Sequence, residues 1–248
     1  MRGELHQKLA RPERAFADFA RAAELDPRSP LPWRKRGRLH QVLGQLPEAI
    51  EALGQAIELD PKDAATLATR AWLRTDQGDH DAAIADATRA IEVDPLHGPA
   101  FRYRGVARSR KGDADGALAD LDRAVELQPD DALNVRNRSY VHAQRGNQAG
   151  VIADCTRLVE LDPRDIQAYI DRGLAQSQLG DHAASVADNE AALALAPSSW
   201  RARANLGVSL HHLGRREEAI AQLRKARELA PAERHGQIDS LIATIGGR

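Results

Sequence analysis

Aromatic residues are scarce in this chain of 248 residues, at 4%. A chain so short of large rings does not fill one deep central core. It suits helices packed closely over small residues, each pair touching only its neighbours. Cys155 stands alone, which excludes a disulfide framework and a cysteine metal cluster. No run of about 18 apolar residues occurs, so no membrane span is read. The opening MRGELHQKLARPER is charged throughout and lacks the apolar stretch of a signal peptide, which makes the cytoplasm the expected location. Neither sign of charge prevails: 35 basic and 36 acidic residues leave a net charge of −1, which argues against nucleic acid as a partner.

What is present is a period. Pro27, Pro61, Pro95, Pro129, Pro163, Pro197 and Pro231 recur every 34 residues, and Gly44, Gly78, Gly112, Gly146, Gly180 and Gly214 keep the same interval. A segment of helix length lies on each side of every glycine. Glycine suits the left-handed position that ends a helix. Asp79, Asp113, Asn147 and Asp181 follow it, placed to cap the second helix. Proline closes that helix. Ser29, Asp63, Asp131, Asp165 and Ser199 come two residues later as caps for the next first helix. Each unit reads as helix, tight turn, helix, tight turn.

Further columns describe the packing. Gly3, Gly37, Ala71, Gly105, Ser139, Gly173 and Gly207 are small, as are Ala49, Ala83, Ala117, Ser185 and Ala219 and Ala56, Ala90, Ala124, Ala192 and Ala226. Larger residues (Trp33, Leu67, Phe101, Val135, Tyr169) recur near the start of each first helix and are expected to fill the gaps between units.

These columns resemble the tetratricopeptide repeat family. The resemblance implies an all-α fold, a right-handed α-solenoid of antiparallel helix pairs. Six units are counted, 30–63, 64–97, 98–131, 132–165, 166–199 and 200–233. Residues 1–29 supply a clipped first helix and a second helix over roughly 12–26. Residues 234–248 supply a capping helix and tail, with Ile238, Leu241, Ile242 and Ile245 on one face. The chain departs from the family where leucine is usual: Arg36, Arg70, Arg104, Arg138 and Arg172 stand there, and only Leu206 keeps it. Asp86, Asp120, Asp154 and Asp188 each share a unit with one of these arginines, which predicts a repeated salt bridge, within a unit or to its neighbour. His40 and His142 stand where the family often has tyrosine. Val151, Cys155 and Leu158 predict altered local packing or a changed superhelical pitch at unit 132–165.

No enzyme signature is found, and no cofactor or metal is expected. His211 and His212 are adjacent and point about 100° apart on a helix, so they do not chelate as an i, i+4 pair would. His80 and His182 occupy equivalent turn positions and read as packing or capping. Cys155 reads as a buried structural thiol. Glycines stand singly at turns, so no phosphate-cradling loop is present.

In this family the first helices line a concave groove for ligands. Helical phase then selects Arg34, Lys35, Arg38, Trp72, Asp76, Arg102, Tyr103, Arg110, Arg136, Asn137 and Tyr140, followed by Gln167, Asp171, Arg201, Asn205 and His211. The set is mainly basic with interleaved aromatics, which suits an extended or helical peptide carrying acidic residues. Some relatives grip a free C-terminal carboxylate with three successive first helices. Arg102 and Asn137 fit the start of such a clamp, but Asp171 puts a negative charge where a cation is wanted. The chain is expected to be a protein-interaction scaffold for a peptide or partner protein. The alternative is a non-catalytic interaction arm of a larger enzyme such as a protein kinase or glycosyltransferase. That reading rests on Met1 falling inside a first helix, which leaves Phe16 and Phe19 uncovered or docked on something, including a second copy.

Overall fold

The computed structural model describes residues 12–247, among which there are fourteen α-helices and no strand. The chain divides into two compact units, residues 1–129 and 130–248. The first contains α1 (Pro12–Leu25), α2 (Leu31–Val42), α3 (Leu46–Leu59), α4 (Ala64–Gln77), α5 (His80–Val93), α6 (Gly98–Lys111) and α7 (Ala114–Leu127). The second contains α8 (Ala132–Gln144), α9 (Gln148–Leu161), α10 (Ile166–Gln178), α11 (His182–Leu195), α12 (Trp200–His212), α13 (Arg216–Leu229) and α14 (Ala232–Gly246). Within each unit every helix packs on the one that follows it. Among the described residues no helix is long and apolar enough to cross a membrane. The expectations for Gly3 and for a helix beginning at Met1 lie outside the described residues.

The punctuation acts as its chemistry demands. Gly78 and Gly112 close α4 and α6 at φ of +93° and +91°, where a Cβ would be strained. Asp79, Asp113, Asn147 and Asp181 accept hydrogen bonds from the backbone N–H three residues on. Asp63, Asp131, Asp165 and Ser199 cap first helices. Ser29 does not. The N–H it would receive belongs to Pro32, which has none, and α2 starts without a side-chain cap.

The small column of the first helices has a partner column sixteen residues later. A Cβ built on Gly37 would lie 2.8 Å from Leu53, on Gly105 2.9 Å from Leu121, and on Gly207 2.8 Å from Leu223. Where the first helix carries a larger residue, the second carries a smaller one. Ala71 is matched by Ala87, and Ser139 lies 3.6 Å from the Cys155 sulfur.

Beside this steric pair runs a charged one. Arg70 donates Nε and Nη2 to the two oxygens of Asp86 at 2.7 Å each, and Arg104 binds Asp120 in the same way at 2.9 and 2.7 Å. Arg138 pairs with Asp154 and Arg172 with Asp188. All four aspartates are buried. Such two-pronged bonds are the strong ones, and removing either partner would leave a charge away from water. Arg36 has no such acceptor, because Ala52 occupies the aspartate position. Its guanidinium lies instead over the Trp33 ring at 4.7 Å. In the large column Leu67 and Val135 are fully buried, whereas Phe101 and Tyr169 are half-buried under Arg104 and Arg172.

At the ends, α14 buries Ile238 and Ile245 and packs Ile242 on the same cluster, while Leu241 is left at the exposed edge. The expectation that Phe16 and Phe19 stand uncovered does not hold. Phe19 is buried with Ala15 and Leu39, and Phe16 meets the His40 ring at 4.4 Å, because both face α2.

Candidate functional site

Three first helices of the first unit, α2, α4 and α6, contribute to one hollow. Arg34, Arg38, Trp72 and Tyr103 line it, and Leu53 of α3 is part of the lining. The two rings meet at 5.5 Å between centroids. Arg34 reaches Asp63, the cap of α4, at 2.5 Å. Burial pushes the Asp63 carboxyl up, but the Thr66 hydrogen bonds and the Arg34 charge outweigh it and hold the group below its ordinary value. Arg38 is exposed and, among the described residues, has no carboxylate partner. Rings, one paired arginine and one solvated arginine therefore face a single concavity.

The other residues selected from the first unit are placed differently. Arg102 is 9% exposed and lies under solvent-facing side chains, its guanidinium 5.1 Å from the Tyr103 ring centre. Arg110 donates to the Thr75 carbonyl at 2.8 Å and braces α6 against α4. Asp76 is exposed and Lys35 half-buried, and neither lines the hollow.

In the second unit α8, α9 and α10 enclose another hollow. Its floor is Val151, Cys155, Leu158 and Ala175, all buried, and its mouth carries the exposed rings and branches of Tyr140 and Leu174. Arg136 and Asp171 are on its wall. Arg136 forms an ion pair with Asp165, the cap of α10. Asp171 accepts a hydrogen bond from Gln167 at 2.7 Å. Burial raises its pKa despite that bond and the charges of Arg136 and Arg201. An adjoining depression shares Gln167, Asp171 and Leu174 and adds Arg201 and Asn205. Asn137 is half-buried outside both linings.

Burial pushes the Cys155 thiol up to about 11, so the nucleophilic thiolate is suppressed near neutrality. His182 stacks on His212 at 4.2 Å, and burial together with the neighbouring His212 lowers its pKa. His211 lies 5.6 Å from His212 at 53°, in the divergent geometry the spacing predicts. Among the described residues no three His, Cys, Asp or Glu side chains gather to hold a metal ion. Sequence reasoning missed the floor of the second hollow. Cys155 was legible as buried, but a void beside it depends on three helices at once.

Tetratricopeptide repeat family models match residues 30–63, 69–132, 109–166 and 170–234, which together span most of the chain. A solved tetratricopeptide repeat protein from Parabacteroides merdae is 20% identical, with a TM-score of 0.65 over 98% of this chain and 96% of its own. YrrB, described as a TPR protein with an unusual peptide-binding site, is 23% identical with a TM-score of 0.67, covering 74% of this chain and 95% of its own. MamA is 22% identical with a TM-score of 0.59, covering 63% and 91%. At these identities the likeness shows the fold alone. A search of curated protein sequences gives no match.

Proposed function

The chain belongs to the tetratricopeptide repeat family, and we propose that it is a non-catalytic scaffold that holds an acidic segment of a partner protein in the hollow of α2, α4 and α6. Proteins of this family are generally protein-interaction scaffolds. The observation that carries the finer reading is Arg38. It is exposed in the same lining as Arg34, Trp72 and Tyr103, so a carboxylate entering there meets a cation and aromatic surface in one concavity. Two arginines face one aspartate in that lining, Asp63, which leaves a local excess of positive charge.

The family's carboxylate clamp is not the favoured mode. Arg102, which would begin it, is buried against Tyr103. The test is fluorescence polarisation with labelled glutamate-rich and lysine-rich peptides. Wild type is expected to prefer the glutamate-rich peptide, and Arg38→Glu to lose about tenfold in that affinity with unchanged helicity. Preference for the lysine-rich peptide would reject the proposal. Arg38 is the better probe than Arg34, whose loss would also disturb the cap of α4.

A further inference from the structure

The second hollow differs from the first in chemistry. Its floor is apolar and buried, and its mouth carries Tyr140 at 62% and Leu174 at 43% exposure together with the exposed Ala143 and Gln178. An arginine and an aspartate on its wall, Arg136 and Asp171, balance each other, and Gln148, Gln167 and Gln178 complete the rim with amides that both donate and accept. Neutral, amide-rimmed and greasy at the base, it is matched to an uncharged aliphatic side chain whose flanking peptide groups are hydrogen-bonded by the rim.

The floor differs from the equivalent place in three other repeats. Three other repeats place Leu53, Leu121 or Leu223 at the position of Cys155, against Gly37, Gly105 or Gly207. Here the pair is Ser139 and Cys155, 3.6 Å apart, and a thiol reaches less far than an isobutyl group. Leu53, at the equivalent place, projects into the lining of the first hollow. Val151 and Leu158 are buried in the floor beside Cys155.

We infer that the hollow between α8, α9 and α10 is an anchor site for an aliphatic side chain of an extended partner peptide. The inference rests on the proposed peptide-binding role but not on the acidic character assigned to the first hollow. The Ser139→Gly plus Cys155→Leu variant narrows the site with a larger floor side chain, using the glycine–leucine pair that the chain itself has elsewhere, so helicity and thermal unfolding are expected to stay near wild type. Leu174→Gln alters only an exposed rim residue and serves where the double variant is poorly folded.

The experiment selects binders to the full chain from a library of random nonapeptides and reads residue enrichment by sequencing. Wild type is expected to enrich leucine, isoleucine or methionine at one position. For a synthetic peptide drawn from that pool, leucine to alanine at the anchor is expected to weaken binding about tenfold. In either variant the aliphatic enrichment should vanish while any enrichment of aspartate and glutamate persists. The same aliphatic enrichment in wild type and both variants would overturn the anchor site, as would enrichment of acids alone. Aliphatic enrichment without acids would support the anchor and reject the acidic reading of the first hollow. Absence of any binder would overturn both.

Discussion

The two units use the same repeat but charge it differently. In the first, each buried aspartate takes two arginines: Asp86 accepts from Arg70 and Arg74, and Asp120 from Arg104 and Arg108. In the second, Asp154 and Asp188 pair with Arg138 and Arg172, and His142 and Gln176 stand where the additional arginines would be. The helix pairing survives both arrangements, so one column tunes local charge without disturbing the interlock. The hollows follow the same division. The first is lined by two arginines and two rings, and the second sets an apolar floor under a mixed wall that carries Arg136, Asp171 and three glutamines.

The largest expected effect tests the charged pairs. Asp120→Ala leaves Arg104 and Arg108 facing a buried void and should cost about 3–5 kcal/mol in urea unfolding. Asp188→Ala strands only Arg172 and should cost less. Equal losses would break the contrast between units. Next comes the steric pair. Gly105→Ala brings a methyl to 2.9 Å from Leu121 and should destabilise by about 1–3 kcal/mol. Adding Leu121→Ala should give a double variant less damaged than the sum of the singles, because Ala71 and Ala87 already make that pair.

A smaller effect falls on the cap that Arg34 shares. Asp63→Ala should cost about 1–2 kcal/mol at neutral pH. The folded pKa of Asp63 is lowered, so its stabilisation is fully present above the unfolded value near 3.8 and is lost as pH falls through the lower folded value. The wild-type advantage over the variant should therefore shrink in acid thermal melts. Asp171 has the opposite sign. Its raised folded pKa means that stability declines as pH rises from the unfolded value through the folded one. Asp171→Asn keeps a partner for Gln167 and removes the buried charge, so its melting at neutral pH should equal or exceed wild type, by less than about 1 kcal/mol. A clear destabilisation would show that the carboxylate is held there by more than its neighbours' charges.

Much of the molecule follows from residues that act on their own neighbours. Gly78 and Gly112 turn the chain because of their own φ, Asp79 and Asp113 cap the N–H groups three residues away, and the arginine and aspartate columns announce a pair by being present or absent together. Arg36 is the instructive exception, since its missing aspartate was visible as Ala52 but its resting place on Trp33 was not.

Sequence alone thus determined the period, the helix limits within a few residues, most caps and the existence of a repeated arginine–aspartate bridge, because those follow from the 34-residue repeat itself. The structure decided that the bridge closes within one unit. Only the tertiary structure decided which surface residues are available. Arg34 is bound to a cap twenty-nine residues away, Arg102 is buried, and the void above Cys155 exists because Ser139, Val151 and Ala175 arrive there from three helices. Partner choice and leftover space are sums over neighbouring repeats, and no single repeat carries that sum in its own residues.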